Sequence, residues 1–368
     1  MTGLALPIRT LGSCGISVPA LGVGCWGIGG ADVNLGLPMG WDSGADEKAA
    51  TAGLFTAWDC GARLYDTTDV YGHGRSERLL GRLVAQVPRE DIVLASKVGY
   101  FAGTAEHGFH PGHMRRQLEQ TLDNLGTDRL DIYVLHHADF GPSDRWLSGA
   151  VDAMHEFRER GLVRAVGMRG PHRFTLDRLA TGSVLREDKV ARFQILFERV
   201  RPDVLAVRDN LLTPAARSEA VFAFAARHQV GVLVNKPLAQ GLLTGAYIPG
   251  DARRFGTGDH RSRKRWFTPE AVTLIFAGLQ RLGEIVGDEP DQLIRTALWS
   301  CLARYEHAVV LVGFTSPAQI RASLACLGDA PPRHVLEEAW RIMASVQQRL
   351  DAGGEVFLDE GSGAEVAP

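Results

Sequence analysis

Eight short apolar runs, each followed by a longer segment of helical periodicity, constrain the fold of this chain more than any other feature. The runs lie near Leu21–Cys25, Ala62–Asp66, Ile92–Ser96, Asp131–Leu135, Val163–Gly167, Ala191–Ile195, Gly231–Asn235 and Ala308–Val312. Helices are expected near Asp46–Cys60, Ser76–Gln86, Gly112–Leu125, Ser148–Arg160, Arg173–Ala180, Pro214–His228, Pro290–Arg304 and Pro317–Leu327. Unbroken alternation requires parallel strands joined by helical crossovers, and eight units suit a closed α/β (β/α)8 TIM barrel. The rival is an open doubly wound sheet, for which "LGVGCWGIGGAD" offers a glycine-rich turn after the first strand. The match is weak, because the turn leads into the Gly- and Pro-containing loop "NLGLPMGWDSG" rather than into a helix.

Four segments lie outside the repeat. "IRTLGSCGISVPA" reads as a β-hairpin capping the bottom of the barrel. "TGAYIPGDARRFGTGDHRSRKRW" is too long for a connector and reads as a lid loop after strand seven, followed by an amphipathic helix from Thr268 to Gly287. A further helix over Pro332–Leu350 completes a single barrel domain over residues 1–350. The small and acidic residues of 351–368 read as a flexible tail.

Composition excludes several classes. Of 368 residues 45% are apolar and 23% charged, as in ordinary globular proteins, and a formal charge of −3 favours neither nucleic acid nor an anionic membrane. Five cysteines in no paired or ligand-like spacing argue against a disulfide framework and a zinc site. With no secretory-type leader or membrane-length apolar run, a reduced, cytoplasmic setting is expected. Nothing in the chain specifies an oligomeric state.

Titratable side chains follow three of the runs: Asp66 and Tyr71 in "ARLYDTTDVYG", Lys97 in "DIVLASKVG" and His136 in "LDIYVLHHAD". In a parallel barrel the C-terminal strand ends converge on one mouth, so these groups fit one pocket. A phenol can give a proton to a carbonyl oxygen if its anion is stabilised, and a neighbouring ammonium supplies that stabilisation. Asp66 would keep Lys97 charged and in place, and His136 would orient the carbonyl; no metal is required. Singly, each has a structural explanation: a turn cap for Asp66, a solvated strand end for Lys97, packing for Tyr71. His137 competes with His136, since only one of two consecutive strand residues points inward. Trp26, Trp41, Phe101 and Phe109 fall in loops at the same end and would wall a substrate pocket.

These residues resemble the tetrad of the aldo-keto reductase superfamily. The similarity lies in "YDTTDVYGHGRSERLLG", "SKVG", "DIYVLHHAD", "GLVRAVG", "PLAQGLLTG" and "VGFTSPAQI", from about Ile8 to Leu327. It implies Tyr71 as general acid, Lys97 and Asp66 as its tuning pair and His136 as the carbonyl-orienting group. It also implies NADP(H) across the barrel mouth, with NAD(H) open, and a small carbonyl substrate such as a sugar or a specialised metabolite. Gln194, in "RFQIL", matches the glutamine that holds the nicotinamide carboxamide. Pro237, Leu238, Gln240 and Gly241 match the pyrophosphate segment, and Gly313, Thr315, Ser316 and Gln319 the adenosine 2′-phosphate loop.

The chain departs from the pattern at Arg169 and Gly170, where Ser-Asn is usual, and at Asn235 and Lys236, where an aromatic and a serine are usual. Ala322 and Ser323 replace the terminal Glu-Asn of the adenine-binding motif. Arg169, facing substrate or cofactor, Asn235 and the lid cations, Arg261 among them, are the expected compensations. The altered nicotinamide pocket leaves two alternatives beside a reductase: a nicotinamide-binding sensor like the potassium-channel β subunits, or a non-redox barrel isomerase or lyase.

Overall fold

A computed structural model describes residues 6–42, 44, 46–172, 188–251 and 253–359. Eight parallel strands form a closed barrel: β1 (Leu21–Gly24), β2 (Leu64–Asp66), β3 (Val93–Val98), β4 (Leu130–Leu135), β5 (Val163–Arg169), β6 (Val204–Arg208), β7 (Gly231–Asn235) and β8 (Ala308–Gly313). They neighbour one another in chain order, and β8 closes on β1 through the pairs Val310↔Leu21 and Gly313↔Gly24. Outer helices include α1 (Glu47–Asp59), α2 (Arg75–Val84), α3 (Pro111–Leu125), α4 (Leu147–Glu159), α5 (Asp188–Val200) and α6 (Ala215–His228). After them come α7 (Pro269–Val286), α8 (Pro290–Leu302), α9 (Pro317–Ala325) and α10 (Arg333–Ala352). The helix expected over Arg173–Ala180 lies outside the described residues.

Seven of the eight expected runs are barrel strands; the sixth is not. Ala191–Ile195 belongs to α5, where Phe193, Leu196, Phe197 and Val200 recur on one buried face at helical spacing. Pro202 cannot continue that helix, and "VLAVR" directly after it forms β6.

Strand alternation divides the core in two. One set of side chains packs outward against the helices. The other fills the barrel axis with Leu64, Val93, Ala95, Ile132, Val134, Ala165, Val204, Ala206, Leu233, Val309 and Leu311. At the bottom, an antiparallel hairpin pairs Ile8–Thr10 with Ser17–Pro19 and inserts Leu11, Ile16 and Val18 into this inner cluster.

The lid packs on α7, α8 and α10 in a separate apolar cluster that includes Trp266, Ile275 and Met343. Of the stretch read as a tail, residues 355–359 lie along the lid. Arg265 N donates to Val356 O (2.9 Å), Leu358 N to Arg263 O (2.8 Å), and Arg263 pairs with Asp359 at 2.7 Å.

Candidate functional site

Two residues on from the last inner-core side chains, and four on β5, where Gly167 intervenes after Ala165, the same alternation sets a polar ring at the mouth: Asp66 on β2, Lys97 on β3, His136 after β4, Arg169 on β5, Arg208 on β6 and Asn235 on β7. β8 and β1 end in Gly313 and Gly24, paired in register. A Cβ built on either glycine would meet no protein atom closer than 3.7 Å. Packing therefore does not demand glycine there; its absence of side chain keeps that side of the floor open. All eight residues line one cleft of about 900 Å³.

Lys97 Nζ lies 2.7 Å from Asp66 Oδ1 and donates also to Thr67 O at 2.6 Å. The ammonium sits 5.0 Å from the Tyr71 ring centroid, and the Tyr71 and His136 rings meet edge to face at 6.5 Å. Gly72 fixes the turn that presents Tyr71: it has φ +60°, and a Cβ there would stand 2.1 Å from Gly29 O. Parity also separates the two histidines. His136 lines the cleft, whereas His137 packs against Phe109 with ring centroids 4.5 Å apart.

The site's electrostatics follow from burial opposed by charge. Burial alone would lower Lys97, but the Asp66 carboxylate, joined by Tyr71 once it ionises, outweighs it and holds the ammonium above its usual range. Asp66 is pushed up by burial, against the pull of Lys97. Tyr71 differs from the expectation of a depressed phenol: burial raises it, and the Lys97 ammonium only opposes that rise. Tyr71 is thus kept protonated. His136 is driven well below its usual value by burial, then by Lys97 and Arg169, and is a neutral imidazole.

A buried carboxyl behind the ring steadies it. Glu77 on α2 accepts from Ser96 Oγ (2.9 Å), Thr121 Oγ1 (3.0 Å) and Asn124 Nδ2 (3.0 Å), tying β3 to α2 and α3 beside Lys97. Burial pushes Glu77 up to about 7 from 4.5. The folded protein therefore holds a proton that the unfolded chain has released, and its stability falls as pH rises through that window. Glu77→Gln is expected to flatten this loss, by ~3 kcal/mol at most, seen as a smaller difference in unfolding midpoint between pH 5 and 8. An equal slope in both proteins would refute it.

Most sequence-predicted site residues reach the cleft: Trp26, Trp41, Asn235, Pro237, Leu238, Gln240, Gly241, Arg261, Gly313, Thr315 and Gln319 join the tetrad and Arg169. Gln194 does not: it is exposed on α5, and the strand end assigned to it carries Arg208. Phe101 is turned toward His73 and His113, with centroids at 5.8 and 6.2 Å; its neighbour Tyr100 lines the cleft instead. Phe109 is wholly buried. Ser316 lies beneath the rim as the N-cap of α9, its Oγ accepting from Gln319 N at 3.3 Å.

Lid cations are spent largely on the lid itself. Arg261 pairs with Asp259 at 2.6 Å, donates to Tyr247 OH at 3.1 Å and lies 4.0 Å over Trp41. Lys264 Nζ donates to Gln240 Oε1, leaving Gln240 Nε2 buried and without a partner among the described residues. Sequence reasoning missed Arg208 and the C-terminal wall of Glu355, Val356 and Phe357. Alternation through Val204, Ala206 and Arg208 carried the signal for the first; nothing local marked the second.

The fold is that of the (β/α)8 barrel enzymes, and comparison with known proteins specifies the kind. Residues 20–330 match the model of the aldo/keto reductase family. The NADH-specific methylglyoxal reductase of Escherichia coli is 25% identical over 333 residues, covering 86% of this chain and 92% of that protein. The L-galactose dehydrogenase of Arabidopsis thaliana is 26% identical, covering 88% and 89%. The solved structure of a glycerol dehydrogenase from Gluconobacter oxydans superposes with a TM-score of 0.69 at 20% identity, over 93% of this chain and 96% of that one. The chain belongs to the aldo/keto reductase family of oxidoreductases.

Among the described residues no helix is long and apolar enough to cross a membrane, and no group of three or more His, Cys, Asp or Glu is arranged to hold a metal ion.

Proposed function

We propose that this protein reduces the carbonyl of a small aldehyde or ketone, a sugar or a specialised metabolite, with NADP(H) as cofactor and NAD(H) as the alternative. The observation that carries the reading is the buried Lys97–Asp66 pair at 2.7 Å beneath Tyr71, with neutral His136 beside it on one cleft. The names of the two relatives, a methylglyoxal reductase and an L-galactose dehydrogenase, support a small oxygenated substrate.

The residues present fit a dinucleotide. The volume is near the upper end of the ~300–1,000 Å³ usual for ligand sites, and the side-chain-free floor at Gly24 and Gly313 admits an extended ligand. Pro237, Leu238, Gln240 and Gly241 line the cleft and would hold a pyrophosphate, with the unpartnered Gln240 Nε2 as a donor. At the start of α9, Thr315 and Gln319 N are engaged within the Ser316 cap and Pro317 has no N–H, so an anion there would draw on the positive end of the helix and the Ala318 amide. With no glutamine on β6, Asn235, the neutral amide in the polar ring at the mouth, can both donate to and accept from a carboxamide. Bound, the nicotinamide supplies the hydride.

This chain's residues supply the rest. The substrate oxygen lies between Tyr71 and His136, whose neutral ring donates an N–H to it. Tyr71, protonated at neutral pH, gives its proton as charge builds on that oxygen. Lys97 stabilises the phenolate left behind, and Asp66 holds Lys97 in place.

Consumption of NADPH and NADH with a carbonyl panel, followed over pH, tests the reading. A general acid raised above its ordinary 10.0 and a histidine lowered below 6.5 predict a flat kcat/KM through the neutral range and a fall only at high pH. No consumption of either nucleotide, or a fall in rate centred near 6.5, would refute it.

A further inference from the structure

The geometry points to a substrate that carries an oxyanion, a carboxylate or a phosphate, within a few bonds of its carbonyl, held by Arg169. This deepens the reductase reading and rests on it.

Arg169 is the last residue of β5. β4 and β5 pair at Val134↔Gly167 and Leu135↔Met168, so one step further His136 stands beside Arg169. Adjacent strands lie ~4.8 Å apart. A group bound by Arg169 is therefore next to the carbonyl that His136 and Tyr71 orient, and Arg169 acts by charge on Asp66, Tyr71, Lys97 and His136 alike.

Among the described residues its guanidinium has no ion-pair partner. Arg169 Nε is buried without a hydrogen-bond partner, and no carboxylate among the described residues pairs with the side chain. The contrast with its neighbours is clear: Lys97 has Asp66, and Arg261 has Asp259. Arg169 is half-buried, and a buried guanidinium N–H without an acceptor is unfavourable until a ligand supplies one. The acids that line the cleft do not. Asp66 is engaged by Lys97, Asp42 lies against the lid, where its N–H donates to Asp259 Oδ2 at 2.9 Å, and Asp351 and Glu355 belong to the C-terminal segment.

The nicotinamide does not answer this need either. Its carboxamide is neutral and its oxidised ring is a cation, while the phosphates suit the segment at Gln240 and the start of α9 across the cleft. Lys236, whose Nζ lies 4.6 Å from the Trp26 ring centroid, acts by charge on His136 as Arg169 does. A planar fork of N–H donors is the group that grips a carboxylate or phosphate in two places and fixes its orientation. The oxyanion takes no part in bond making: hydride goes to the carbonyl carbon, the Tyr71 proton to its oxygen, and the anion leaves unchanged on the alcohol.

Matched substrates test this. Pyruvate is compared with methyl pyruvate, and glyceraldehyde 3-phosphate with glyceraldehyde, in the parent, Arg169→Gln and Arg169→Lys, with NADPH quenching of tryptophan fluorescence reporting that each variant folds and binds nucleotide. The parent is expected to favour one charged member over its neutral partner by at least about 10- to 100-fold in kcat/KM, the range of a charge-assisted hydrogen bond. Arg169→Gln should collapse that ratio, mainly through KM, and Arg169→Lys should restore part of it. Whichever pair responds names the anion. Neutral and charged partners turned over equally by the parent, or a ratio untouched by Arg169→Gln, overturns the substrate class while leaving the reductase reading intact. Failure to reduce any of the four compounds or a wider panel overturns both.

Discussion

Tyr71→Phe is expected to lower kcat/KM for carbonyl reduction by about 10²- to 10⁴-fold, the usual worth of a positioned general acid. The substitution removes one hydroxyl and keeps the ring, so the contacts with His136 at 6.5 Å and Trp26 at 6.4 Å persist. Nucleotide affinity should change little, because the phenol lies at the substrate end of the cleft. Steady-state rates beside a fluorescence titration with NADPH separate the two effects. A variant that turns over like its parent would remove Tyr71 from the acid role, and one that no longer binds nucleotide would make it a structural residue.

Breaking the buried ion pair should do more, because it acts on stability and on chemistry together. Asp66→Asn leaves the Lys97 ammonium, itself only 3% exposed, with Thr67 O as its remaining acceptor. Removing one partner of such a pair typically destabilises by ~3–5 kcal/mol. Lys97 then loses the charge that raises it and drifts toward the neutral amine, which no longer stabilises the phenolate. The double variant Asp66→Asn/Lys97→Met separates the effects. With both charges gone it should recover most of the lost stability in a urea unfolding series while remaining as inactive as the single variant. Recovery of turnover in the double variant would show that the pair is structural and not catalytic.

Much of the site was legible because strand parity and barrel topology are both encoded locally. Leu64, Val93 and Val134 point to the axis, so Asp66, Lys97 and His136, two or four residues on, must do so too. The same rule decides between His136 and His137. What failed was whatever depended on distant parts of the chain. Ala191–Ile195 is as apolar as a strand, and only its packing face, extended to Val200, marks it as helix; placing Gln194 there by motif hid Arg208. The sign of the Tyr71 shift depends on how deeply the phenol is buried, which no spacing reveals. Two lid arginines, Arg263 and Arg265, look free in sequence because their partners, Asp359 and the carbonyls of Leu350 and Glu355, come some ninety residues later.

Closure of the ring of strands through β8 and β1 bears on how the molecule is made. Leu21–Gly24 can pair with Leu64–Asp66 early in synthesis, but its other edge waits for Ala308–Gly313. Until then a partly built sheet exposes two unsatisfied flanks, templates for pairing with another nascent chain. Crowded expression should therefore tax this protein in its birth more than in its finished state, and chaperone supply or a lower growth temperature should raise the soluble yield.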